Sequence, residues 1–100
     1  MPAEHHPQWR LEGFVERLDQ WITLDVPDDN LRLTVTAWVM TRFDRPYQGV
    51  RREAGFDNLW FGVVPGSQLP PGQVVVCSYW IEETTHTVRC DSIASLTRPA

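Results

Sequence analysis

The chain has 100 residues, of which 42% are hydrophobic and 22% charged; these proportions match a soluble globular domain and exclude a disordered, collagen-like or coiled-coil chain. Its length leaves room for a single domain, 1–100, built on one core. Nine basic residues against thirteen acidic ones give a net charge of -4, which removes the overall basic footprint of a general nucleic-acid binder.

All nine basic residues are arginines, so lysine chemistry is excluded. The charge is segregated: residues 1–30 hold two arginines and seven acids (-5), residues 31–56 five arginines and two acids (+3), and residues 57–100 two arginines and four acids (-2). No apolar run approaches the roughly 18 residues of a membrane-spanning helix, so no membrane is expected as a partner. The polar start Met1-Pro2-Ala3-Glu4-His5-His6 does not read as a signal peptide, so a cytoplasmic protein is expected. Cys77 and Cys90 form no CxxC pair and no disulfide framework; buried, unpaired thiols are expected.

Residues 1–8 carry two prolines and two histidines without periodicity, the pattern of a loose tail. His5 and His6 have no carboxylate or thiol at ligand spacing, so no metal site is expected. Trp9-Arg10-Leu11-Glu12 alternates apolar and charged as a short strand does, and Gly13 ends it. Phe14, Val15, Leu18, Trp21 and Ile22 then fall on one helical stripe, with Glu16, Arg17, Asp19 and Gln20 turned to water.

Pro27-Asp28-Asp29-Asn30 is turn or helix-start chemistry, and the segment after it fits two periods. Leu31, Leu33, Val35, Ala37 and Val39 alternate with polar or aromatic residues as in a strand. Leu31, Val35, Trp38, Val39 and Phe43 also form a helical stripe. The acids before it, Arg42 and Arg45 after it, and the stop at Pro46 favour the helix.

Residues 44–58 read as a long connection into a strand at Leu59-Trp60-Phe61-Gly62-Val63-Val64, bounded by Pro65-Gly66. The turn-rich stretch to Gly72 leads into Val74–Ile81, the strongest strand signal in the chain. Glu82–His86 reverses the chain, and Thr87–Ile93 returns antiparallel. That hairpin places Tyr79 opposite Cys90, with Cys77 one diagonal away and Val75, Ile81 and Val88 on the same face. Trp21, Trp38, Trp60 and Trp80 are expected as the main core anchors.

No GxSxG, HExxH, GxxxxGK[ST] or GxGxxG occurs, so no catalytic residue is named and no cofactor is expected. His86 sits in a hairpin turn and is expected to be solvated. Arg42, Phe43, Arg45, Tyr47, Arg51 and Arg52 gather arginines and aromatics around a helix end, a composition that can hold phosphate. The competing reading gives these arginines to helix carbonyls and loop solubility. Arg89, flanked in parity by Thr87 and Asp91, is expected on a solvated sheet face.

The expected fold is therefore α+β: a short N-terminal strand and a helical hairpin packed on an antiparallel sheet of three to four strands. The alternative is an all-β barrel or sandwich, should residues 31–43 be extended.

This order of elements resembles the RelE/ParE toxin superfamily. Asp44-Arg45-Pro46-Tyr47 is similar to the family's helix end "DPY". Asn58-Leu59-Trp60-Phe61 resembles its entry into the sheet. Val74–Glu83 followed by Thr87-Val88-Arg89 is similar to its "yRvvYrideearTVrV" hairpin. The resemblance implies a small toxin neutralised by a wrapping antitoxin, with RelE-like members cutting messenger RNA on the ribosome and ParE-like members inhibiting gyrase. It adds weight to a helix at 28–43. The chain departs from the family at Gly72-Gln73-Val74-Val75, where an arginine is usual, and at Ala94-Ser95-Leu96, where the closing catalytic residues would stand. The leading expectation is thus a toxin-like protein that binds a protein partner, with any partner or RNA contact through Arg45, Tyr47, Arg51, Arg52 and Arg89. The alternatives are a residual endoribonuclease and a small structural or regulatory homodimer joined at a sheet edge.

Overall fold

A computed structural model describes residues 8–70 and 72–97. The expected loose tail, with His5 and His6, lies outside them apart from Gln8. Two helices pack on one face of a five-stranded open sheet, an α+β fold and not a barrel.

Strand β1, Arg10–Glu12, runs into helix α1, Phe14–Asp25, through Gly13. Gly13 sits at φ 79, a left-handed conformation that costs other residues energy because of their Cβ. The helix ends where Val26 turns left-handed and returns its N–H to the Ile22 carbonyl, just before Pro27, which cannot continue the ladder. Helix α2, Asp29–Met40, is capped by the Asp28 carboxylate, which accepts from the Leu31 N–H at 2.8 Å. One 3-10 turn, Thr41–Phe43, extends it. Of the two periods read over residues 31–43, the helical one holds: Leu31, Val35 and Val39 are buried while Leu33 is 69% exposed.

The remaining strands are β2, Arg51–Arg52; β3, Leu59–Val63; β4, Gln73–Glu82; and β5, Thr87–Thr97. Their spatial order is β1-β5-β4-β3-β2. This corrects the expected three to four antiparallel strands in two ways. The sheet is mixed, because β1 lies parallel to β5. It also gains β2 from within the predicted connection, as Arg51 and Arg52 pair with Phe61 and Trp60. A two-residue strand carries too few side chains to show a period, which is why the pattern missed it.

The β4–β5 hairpin has the expected register: Tyr79 lies opposite Cys90 and Ile81 opposite Val88. A bulge at Ser78/Tyr79 then shifts the pairing, so that Cys77 faces Ile93, and β5 runs four residues beyond the predicted end at Ile93. Alternation sends Val75, Cys77, Tyr79 and Ile81 toward the helices, where they join Phe14, Trp21, Val35, Val39 and Val88 in the core. Gly62 on β3 is needed here: a Cβ there would lie 2.8 Å from the Gly49 carbonyl, so only glycine lets this loop close over the sheet.

The tryptophans divide differently from expectation. Trp21 is buried, and its indole N–H donates to Ser95 Oγ at 2.9 Å, which ties α1 to β5. Trp38 and Trp60 are half-buried against the core. Trp80 belongs to the opposite face, edge-on to Phe56 at 5.7 Å, because period two cannot place it beside Tyr79 and Ile81. Val15, assigned to the buried stripe of α1, is 69% exposed. Adding it widened that stripe beyond what one sheet face covers.

Candidate functional site

Tyr47, expected as a contact residue, is the centre of an aromatic cluster at the hairpin end of the sheet. Its ring stands edge-on to Trp60 at 5.0 Å and to Trp9 at 6.2 Å. Its hydroxyl donates a short hydrogen bond to the Glu83 carboxylate. Burial among these rings, then the hydrogen bond and charge of Glu83, push the Tyr47 phenol up to about 12. His86 stacks on Trp9 with ring centroids 3.8 Å apart, so it is not the solvated turn residue the sequence suggested. It takes a left-handed φ of 55 in the turn that closes the hairpin.

Beneath this cluster, Arg42 is 2% exposed. It donates to the Gln48 carbonyl at 2.8 Å, to Tyr79 Oη at 2.9 Å and to Thr41 Oγ1, and it lies 4.1 Å from the Trp38 ring centroid. Tyr79 donates onward to the Pro46 carbonyl. The guanidinium thereby fixes the loop after α2, which carries Tyr47, onto the sheet. Sequence grouped Arg42 with phosphate-binding candidates; its donors are instead spent on protein oxygens, the structural alternative named above.

The other arginines do not converge. Arg45 is exposed and reaches Gln48 at 3.5 Å. Arg51 lies over Phe61, 5.9 Å from the ring centroid, on edge strand β2. Arg52 donates to the Phe56 carbonyl and stands 4.0 Å from Asp57. Arg89 is three strands away from β2, on β5, and contacts Glu82 at 2.6 Å. Such exposed pairs contribute little to stability, but they neutralise the local potential that would attract phosphate. Thr87, expected on the same solvated face as Arg89, is buried.

An apolar concavity at the helix ends has no motif in the sequence. A groove of about 620 Å³ lies between the start of α1 and the end of α2, beside strand β1. Buried Phe14 and Val39 line it together with Leu18, Val15, Met40 and Phe43, and Glu12 and Glu16 add two carboxylates. Val15 and Met40, 69% and 53% exposed, are its accessible apolar groups. They come from separate helices, so no local motif announces them. The clue in the sequence was an apolar stripe on α1 wider than a single contact face needs.

Among the described residues no cluster of His, Cys, Asp or Glu could hold a metal ion. Nor is any helix there long and apolar enough to cross a membrane. No protein family, curated protein or solved structure gives a significant match to the chain.

Proposed function

We propose that the chain is a RelE/ParE-like toxin that acts by binding protein, and that the helix groove receives the neutralising segment of its antitoxin. The groove carries this reading. Its lining is mainly apolar, and its only charged lining residues are the carboxylates Glu12 and Glu16. An amphipathic helix with apolar anchors at i, i+3/i+4 and i+7 and basic residues beside them complements that surface in shape and charge. The order strand, two helices and antiparallel hairpin is the one on which the RelE/ParE resemblance rests. Binding is favoured over cleavage because Arg45, Arg51, Arg52 and Arg89 are spread over a loop and opposite regions of the sheet. Stabilising a phosphoryl transition state requires cations aimed at one point.

The test is expression in a bacterial host, alone and together with the gene adjacent to this one. Growth arrest relieved by the neighbour is expected. A Val15→Asp, Met40→Asp variant with unchanged circular dichroism should still arrest growth and escape relief. The combined Arg45→Ala, Arg51→Ala, Arg52→Ala, Arg89→Ala variant should arrest growth as the parent does. A chain harmless by itself refutes the proposal. Codon-phased cuts in translated messenger RNA that vanish in the arginine variant would establish the endoribonuclease instead.

A further inference from the structure

We propose that the uncovered face of the sheet is the interface of a homodimer, formed when two copies of this chain pack sheet against sheet. The inference does not depend on the helix groove, which lies on the other side of the molecule.

Strand alternation puts Leu59, Phe61 and Val63 of β3 and Val76 and Trp80 of β4 on this face, with no helix over them. Phe56 packs edge-on against Trp80 and is itself 46% exposed. Five half-buried aliphatic or aromatic side chains on adjacent central strands make an apolar strip interrupted by Ser78, and with Phe56 beside it the strip is apolar surface that a second sheet can cover. Arginine and aromatic residues at its margin, as with Arg51 over Phe61, are the composition of an interface core and its border.

Charge selects the occupant. Arg10 pairs with Glu12 and Arg89 with Glu82 on this face, Arg51 lies over Phe61, and Asp91 and Glu53 add carboxylates, so charges of both signs are interspersed on it. A basic partner would meet arginines here, and a polyanion such as RNA would meet carboxylates. A two-fold related copy brings the same interspersed cations and anions, so that arginines of one copy can meet carboxylates of the other, the self-complementarity that an isologous contact requires. At about 3.4 Å per residue and 4.8 Å between strands, the five strands present roughly 500 Å². Two such faces bury about 1,000 Å², the lower bound for a specific interface. The sheet edges offer less: β2 has two residues, both arginine, and β1 has three, the short charged edges that resist strand pairing.

Light scattering and an NMR dilution series test this on the whole chain. The expected result is twice the 11.6 kDa chain mass, with amide shifts on dilution confined to β3–β5 residues such as Phe61, Ser78 and Trp80. Phe61→Glu and, separately, Arg51→Glu should weaken association by at least about 30-fold. Val15→Asp should leave it unchanged even where it abolishes antitoxin capture, which separates this proposal from the functional one. A wild-type monomer at roughly 1 mM overturns the inference, as does a dimer whose shifts map to the helices. An oligonucleotide that binds the monomer and perturbs Trp80 would assign the face to RNA stacking and likewise overturn it.

Discussion

The Arg42 guanidinium donates to the Tyr79 hydroxyl at 2.9 Å inside the core. Among the described residues no carboxylate forms an ion pair with this arginine. Its charge is instead held by the Gln48 carbonyl, Thr41 Oγ1 and the Trp38 ring. One side chain on the 3-10 turn after α2 thus binds the loop to β4, and the position of Tyr47 depends on it.

Removing one end of that link should be costly, because a buried polar group left unsatisfied loses its solvation as well as its bond. Tyr79→Phe is expected to destabilise by about 1–2 kcal/mol and Arg42→Ala by about 3 kcal/mol. Urea denaturation of both single variants and the double variant should reveal coupling of about 1 kcal/mol between the sites. Strict additivity would show that the hydrogen bond contributes nothing net.

The Asp28 carboxylate satisfies an otherwise orphaned N–H at the start of α2. Asp28→Ala should therefore cost about 1 kcal/mol, and Asp28→Ser much less, since a hydroxyl can also cap. Thermal melts of the two variants distinguish loss of the cap from loss of charge.

Two phenols make stability sensitive to alkali. Burial pushes Tyr79 up to about 12 against the opposing effect of Arg42, and Tyr47 also lies at about 12. Both are raised from 10, so the fold favours the protonated phenol. Their contribution is complete below pH 10 and is lost as pH rises from 10 to 12. Urea midpoints should stay level up to about pH 10 and then fall, less steeply in Tyr47→Phe and Tyr79→Phe. Phenolate absorbance of the native protein should rise later than that of the unfolded chain.

Cys77 and Cys90 are buried free thiols. Hydrogen bonding to Cys90, followed by burial, raises Cys77 well above its ordinary value, which keeps it from the nucleophilic thiolate form. Native protein at neutral pH should react slowly with a thiol reagent, and denatured protein should release two thiols at once. Rapid native labelling of Cys77 would mean that the core opens locally.

Much of this molecule was legible without coordinates because it is written in local periods. The 3.6-residue spacing of Leu31, Val35, Trp38 and Val39, together with the flanking acids, arginines and Pro46, points to α2 over the strand period the segment also fits. The alternation through Val75, Cys77, Tyr79 and Ile81 specifies one face of β4, and a four-residue reversal brings Cys90 opposite Tyr79. These features follow from short-range geometry that each segment carries within itself. What lies between segments was decided only when they packed. The sheet has one covered face and one open face, so Trp80 was excluded from the core by parity with its neighbours, while Arg42 was drawn in to satisfy a loop distant in sequence. The groove at Val15 and Met40 exists because two separate helices bring those side chains to one concavity, and the arginines separate because the chain places them in a loop and on two strands, β2 and β5. A single sequence records which side chains share a turn or a pleat; only the closed tertiary fold determines which of them meet, which are neutralised and which remain open to a partner.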